Sequence, residues 1–122
     1  MTPFGTRIRP FVDEELHRAR VAEAKGDAAA AFRHLERAHV LGQASTVQHV
    51  RVHAHMLAWA LRHHRAHEIV GQLLRIVGAA TKTLFWIPVG NTGGANVSPF
   101  QPMPVAQDLQ RIIARARSAR QR

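Results

Sequence analysis

The sequence has no cysteine, and this absence removes several classes of chemistry. Disulfide frameworks, thiolate zinc sites and thiol nucleophiles all need a cysteine side chain, so a metal site here would use histidine, carboxylate or methionine ligands. Long apolar runs are also missing. None approaches the roughly 18 to 20 residues that cross a bilayer, and no membrane span is expected. Residues 1–12 lack the apolar stretch of a signal peptide, which makes the cytoplasm the expected location.

Familiar catalytic motifs are absent as well. Ser45, Ser98 and Ser118 lie in no nucleophile-elbow pattern, and no carboxylate pair indicates glycosidic chemistry. The stretch from Gly90 to Gly94 lacks the lysine of a phosphate-binding P-loop, and a packing turn is the favoured interpretation. The sequence therefore favours a binding protein over an enzyme, while a metal-dependent reaction stays open.

Acidic residues are scarce, with 8 Asp and Glu against 17 Lys and Arg, which gives a formal net charge of +9. Much of the positive charge lies near the C-terminus, at Arg111, Arg115, Arg117, Arg120 and Arg122. Basic segments attract polyanions, but blocks of like charge are often only solvated. We therefore favour a flexible basic tail over residues 114–122 and leave open an acidic protein or nucleic acid as its partner. A homodimer is also left open.

Apolar residues recur at three- and four-residue intervals, which predicts a single all-α domain over residues 1–122. The predicted helices run from Pro10 to Lys25, from an Asp27 cap to Gly42, onward from a Ser45 cap, from Arg65 to Val77, and onward from Pro104. The first four form two helical hairpins that weakly resemble tetratricopeptide repeats. Two repeats are fewer than such arrays need, so a closed bundle is expected. Residues 79–104 are predicted to be a long ordered loop that wraps the bundle.

The same spacing predicts which side chains face the core. In the third helix these are Val47, Val50, Ala54, Leu57 and Leu61, and in the fourth Ile69, Val70, Leu73, Leu74, Ile76 and Val77. Met56 is also expected in the core. Five histidines are expected to face solvent or lie at hinges, namely His34, His55, His63, His64 and His67.

His49 and His53 are the most informative polar pair. They lie four residues apart, so they project from one helix face a turn apart, the spacing with which two imidazoles hold one metal ion. The predicted core stripe lies about 100° away, which places the pair at the edge of the core. The preceding helix carries Glu36 and His39 in the Glu-x-x-His spacing of helix-bundle metal sites. Because a short turn should make the two helices antiparallel, all four side chains are predicted to converge.

Two further carboxylates were weighed as ligands. Glu15 in the first helix lies roughly level with the group and is a further predicted ligand. Glu68 in the fourth helix ranks lower, because the hairpin places it nearer Ala60 than His53. Nitrogen and oxygen ligands suit a divalent transition metal, and zinc, iron, nickel, cobalt, manganese and copper all stay open. The competing interpretation is a structural network of buried imidazoles bonded to Glu36 and to the backbone.

Several segments together resemble one known family. They are His34–Gln43, His49, His53, Met56-Leu57, Gly71-Gln72, Pro88–Gly94 and Pro102–Pro104. Over nearly the whole chain they resemble an uncharacterised bacterial family of domains of unknown function, DUF3703-like. The resemblance implies a small protein encoded near heavy-metal resistance or transport genes, and it implies no activity. The alternative function is a metal-free interaction module that binds protein or nucleic acid through the basic surface and tail.

Overall fold

A computed structural model describes residues 2–81 and 104–118, and across these ranges the chain forms five helices and no strand. The helices are α1 (Phe4–Ala24), α2 (Ala28–Gly42), α3 (Thr46–Arg62), α4 (Ala66–Thr81) and α5 (Gln107–Ser118). The pairs α1–α2 and α3–α4 are helical hairpins, α2 packs on α3, and α5 packs on α1 and α2. The all-α prediction is confirmed. Across the same ranges, every helix is too short or too polar to cross a bilayer.

The two predicted caps form as the sequence indicates. The Asp27 carboxylate accepts a hydrogen bond from the Ala30 amide at 2.9 Å, and the Ser45 hydroxyl accepts one from the Gln48 amide at 3.4 Å. Both bonds satisfy amides that the first helical turn leaves without an intrahelical partner. Gly26 makes the α1–α2 turn with a φ of 81°, a left-handed conformation that glycine adopts without strain.

The predicted start of the first helix is wrong by two turns. The helix α1 begins at Phe4, and Pro10 lies inside it. A proline ring has a helical φ but lacks the amide that would bond to the preceding turn. Ile8 and Val12, on either side of Pro10, are fully buried. Their packing outweighs the one backbone hydrogen bond that Pro10 removes.

The predicted core stripe of α3 is wrong. Val47 is 72% exposed and Leu61 is 54% exposed. The buried face of α3 carries instead Gln48, His49, Val52, His53, Met56, Trp59 and Ala60. His49 and His53 therefore lie in the core, where they are 2% and 1% exposed, and not at its edge. The hydropathy pattern failed because it counted imidazoles as surface groups. Met56 is buried, as predicted.

The fourth helix is also rotated relative to the prediction. Four of its apolar residues are at least half exposed, namely Val70, Leu73, Leu74 and Val77, while Gln72 is fully buried. Gly78 does not end the helix, since α4 continues to Thr81.

The predicted loop and tail each overlap a helix. Residues 79–81 belong to α4 and residues 114–118 belong to α5. The rest of the predicted wrapping loop, residues 82–103, lies outside the described residues, as do the last four of the predicted tail. Arg37 pairs with Asp108, and the Arg7 Nε atom donates to the Ala116 carbonyl at 2.5 Å, so two arginines hold α5 against α1 and α2.

Candidate metal centre

Three histidines meet where α2 and α3 pack together. His39 lies in the last turn of α2, and His49 and His53 lie in the first half of α3. The three-residue turn between the helices reverses the chain. Gly42 allows the close approach at this turn, because a Cβ atom there would lie 2.9 Å from the Gln48 Cβ atom. The sequence thereby brings His39 beside His49.

The Nε2 atoms of the three rings point at one another. The His49 Nε2 atom lies 3.0 Å from the His39 Nε2 atom and 3.0 Å from the His53 Nε2 atom. The rings are tilted or edge-on to each other, with centroids 4.7 to 4.8 Å apart. All three side chains are 2% exposed or less. Within the described ranges this is the one group of three or more histidine or carboxylate side chains close enough to hold a metal ion.

The spacing fits a small transition-metal ion. Zinc binds histidine nitrogen at about 2.0 to 2.1 Å in tetrahedral geometry, which separates neighbouring nitrogens by about 3.3 Å. The two 3.0 Å separations from His49 require these rings to move apart by only a few tenths of an ångström, and the ligand atoms of all three histidines lie within 4.8 Å of one another. The donor set, three imidazole nitrogens, is also the type that zinc, copper, iron and nickel accept.

Burial keeps His53 in the form that binds metals. It lowers the pKa of His53 to about 4, the bond to Gln72 opposes this, and the nearby Arg75 charge adds to it. At neutral pH the ring is therefore uncharged, and a nitrogen lone pair is available for an ion.

His53 is also bonded to the fourth helix. Its Nδ1 atom lies 2.5 Å from the Gln72 Oε1 atom. The Gln72 amide nitrogen donates in turn to the Glu68 carboxylate at 3.0 Å. Glu68 thus contacts the histidine group through Gln72. Sequence reasoning did not predict Gln72 as a site residue, although Gly71-Gln72 is one of the segments that resemble the family and this glutamine interrupts the apolar residues 69–74.

The other two predicted carboxylates lie outside the three-histidine group. Glu15 is buried beside Arg37 and His34, with Arg37 Nε at 3.0 Å from one carboxylate oxygen and His34 Nδ1 at 2.8 Å from the other. Because these groups contact both carboxylate oxygens, we do not propose Glu15 as a metal ligand. Glu36 lies one turn before His39 on α2 and is half-buried.

The remaining histidines divide into two sets. His64 and His67 are exposed at the α3–α4 turn, as predicted, and His64 has a φ of 54°. His63 is half-buried at the same turn, where it caps α3, which agrees with the predicted hinge position, whereas His34 and His55 are half-buried within α2 and α3 and differ from the prediction. His34 is bonded to Glu15, and His63 lies 2.9 Å from a Glu23 oxygen.

Comparison with known proteins adds one finding. A family model described as a protein of unknown function (DUF3703) matches residues 6–113. This range contains all three histidines together with Gln72 and Glu68. Neither the curated proteins nor the solved structures give a match.

Proposed function

The chain belongs to the DUF3703 family of proteins of unknown function, and we propose that it binds a transition-metal ion through the Nε2 atoms of His39, His49 and His53. The observation that carries this proposal is a buried group in which the His49 Nε2 atom lies 3.0 Å from the Nε2 atoms of both His39 and His53, with the ligand atoms of all three within 4.8 Å of one another. Buried polar groups are costly unless they gain a partner, and a cation is a partner that all three nitrogens can share.

The three histidines leave one position of a tetrahedral ion for a further ligand. Glu36 is the carboxylate that we propose to test there, because it lies one helical turn from His39. The donor set keeps zinc, iron, nickel, cobalt, manganese and copper as candidate ions.

The burial of the site favours metal handling over catalysis. Since the three side chains are 1 to 2% exposed, a substrate could reach a bound ion only if the helices moved apart. A closed site of this kind suits retention and transfer of the ion itself. A role in metal storage or resistance is the function that we propose on this basis.

Elemental analysis of untagged protein tests the proposal. It should be combined with titration of the metal-free protein with Co²⁺, whose visible spectrum reports coordination by nitrogen. We expect a stoichiometric metal in the wild type and none in the His49→Gln/His53→Gln variant. The matched control is His17→Gln/His67→Gln, which changes two exposed histidines. The proposal fails if the wild type takes up no metal, or if the folded His49→Gln/His53→Gln variant binds the metal as tightly as the wild type does.

A second candidate function has its own observation. Arg111, Arg115 and Arg117 are exposed on α5, in a chain with a net charge of +9. An interaction module would bind a polyanion through these arginines, with an affinity that falls steeply as salt is added. The Arg111→Gln/Arg115→Gln variant should then lose polyanion binding and keep its metal. Unchanged polyanion affinity in this variant would rule out α5 as the binding surface.

A further inference from the structure

We infer that Gln72 and Glu68 of α4 form a positioning relay that holds His53 in the tautomer a metal ion requires. This inference rests on the proposed metal site. Gln72 contacts the proposed ligand His53, and Glu68 contacts Gln72. Groups in such places fix the orientation and the protonation of metal-binding imidazoles.

The burial of Gln72 is the first observation. Within residues 66–78 of α4 the fully buried side chain is this amide, while Val70, Leu73, Leu74 and Val77 are 50 to 64% exposed. A helix that minimised exposed apolar surface would turn those four residues inward. The helix instead directs its amide at His53. Gln72 thus occupies a core position beside the histidine group, three residues after Ile69, which packs against the apolar core.

Glu68 determines which way the Gln72 amide points. A carboxylate only accepts hydrogen bonds, so the group 3.0 Å from the Glu68 oxygen must be the Gln72 amide nitrogen. A flipped amide would place two oxygens against each other. The Gln72 oxygen is consequently the atom that faces His53.

The amide oxygen in turn sets the His53 tautomer. An oxygen 2.5 Å from the Nδ1 atom has no proton to give, so Nδ1 carries the proton and donates it. In a neutral imidazole the other nitrogen then has a free lone pair. This lone pair is at Nε2, the atom that lies 3.0 Å from the His49 Nε2 atom.

Proton counting shows what the relay does to the histidine group. With the His53 Nε2 atom unprotonated, its contact with His49 is a hydrogen bond only if the His49 Nε2 atom donates. That donor then has no lone pair to offer His39, whose Nε2 atom is also 3.0 Å away. At most one of the two contacts is an ordinary two-centre hydrogen bond in the neutral group. A cation that accepts the lone pairs of all three Nε2 atoms is a partner for each of these atoms at once.

The tautomer itself gives the first test. Nitrogen-15 NMR of the metal-free protein, with long-range transfer from the ring protons, distinguishes a protonated Nδ1 from a protonated Nε2. We expect His53 to be protonated at Nδ1 in the wild type. Gln72→Met keeps the volume but removes the acceptor, and the His53 signals should move toward the other tautomer or a mixture. A wild-type ring protonated at Nε2 would overturn the relay.

Metal affinity gives the second test. We expect Gln72→Met to weaken Co²⁺ binding by about 10- to 100-fold, the usual cost of losing a partner of a metal-bound histidine. The double variant Glu68→Gln/Gln72→Glu exchanges the two side chains. The amide at position 68 then donates to the carboxylate at position 72, and this carboxylate accepts from the His53 Nδ1 atom. Because the direction of both hydrogen bonds is kept, Co²⁺ affinity should recover relative to Gln72→Met. Glu14→Gln, at an exposed position, is the control for the loss of a carboxylate from the surface.

The outcomes separate the relay from the metal site. If the wild type binds no Co²⁺, the proposed function fails, yet the tautomer measurement still decides the relay in the metal-free protein. If the wild type binds Co²⁺ and folded Gln72→Met binds it equally well, the relay is wrong and the metal site stands. Circular dichroism of each variant confirms that it is folded.

Discussion

Gly42 and Gln48 approach each other so closely across the α2–α3 turn that a Cβ atom at position 42 would lie 2.9 Å from the Gln48 Cβ atom. This contact joins the end of α2 to the start of α3. It lies three residues after His39 and one residue before His49. The distance between the two helices here therefore also sets the distance between the Nε2 atoms of His39 and His49, two of the proposed metal ligands.

The Gly42→Ala substitution should push α2 and α3 apart at this turn. We expect a lower Tm, because overpacking a tight contact costs about 1 to 3 kcal/mol, and weaker Co²⁺ binding, because the His39 Nε2 atom moves away from the other two. Gly26→Ala is the matched control. It strains a residue with a φ of 81° but meets no atom within 4 Å. Both variants should lose stability, and only Gly42→Ala should lose affinity. Equal Co²⁺ affinities would contradict this account.

Metal binding should stabilise the folded chain. A ligand that binds only the folded state at 100 times its Kd raises the free energy of unfolding by about 2.7 kcal/mol. Zn²⁺ should therefore raise the Tm of the wild type, and a chelator should reverse the effect. The His49→Gln/His53→Gln variant should show no such shift, while His17→Gln/His67→Gln should behave as the wild type does. If Zn²⁺ raised the Tm of the His49→Gln/His53→Gln variant as well, the ion would bind at another site.

The sequence predicted the helices better than it predicted their faces. Apolar spacing and the Asp27 and Ser45 caps are local signals, and they placed both ends of α2 and the start of α3 correctly. The buried face of α3 depends on His49 and His53, which a hydropathy pattern assigns to the surface. In the core these two rings have partners on other helices, His39 on α2 and Gln72 on α4, and no local pattern records those contacts.

The site shows the same division between local and distant signals. The i, i+4 spacing of His49 and His53 and the short turn after α2 correctly predicted that these two rings meet His39. The spacing of charges could not predict that Arg37 and His34 would engage Glu15. Gln72 was missed because its role depends on Glu68 and His53 together, which lie on two helices.

The pH dependence of stability should reveal the contact between Asp108 and Arg37 that helps to hold α5. The hydrogen bond from Arg37 lowers the pKa of Asp108 below its ordinary value of 3.8, and the charge of Arg37 adds to this. Because the folded-state pKa is lowered, the ion pair stabilises the fold above pH 3.8 and the effect is lost as the pH falls through the folded-state value.

The test is the difference in Tm between the wild type and Asp108→Asn. It should be positive at neutral pH, decline as the pH falls below 3.8, and shrink in high salt, since Asp108 is 48% exposed. The exposed pair of Arg9 with Asp13, whose atoms are 3.9 Å apart, gives a control in Arg9→Gln, for which we expect a smaller change. A pH-independent difference would show that Asp108 acts through packing and not through its charge.

The role of Glu15 can be separated from metal binding. Its carboxylate is 5% exposed. It accepts a hydrogen bond from Arg37 at 3.0 Å and lies 2.8 Å from the His34 Nδ1 atom, so it joins α1 to α2. Glu15→Gln keeps the shape but replaces the buried carboxylate with an amide that bonds Arg37 and His34 more weakly, which costs about 1 to 3 kcal/mol. We expect thermal denaturation to show this loss while Co²⁺ stoichiometry and affinity stay at the wild-type values. Glu36→Gln is the matched comparison, and we expect it to weaken Co²⁺ binding with a smaller loss of stability. If Glu15→Gln instead lowered the affinity and Glu36→Gln did not, Glu15 would be the carboxylate that completes the site, and its ion pairs would have to rearrange when the metal binds.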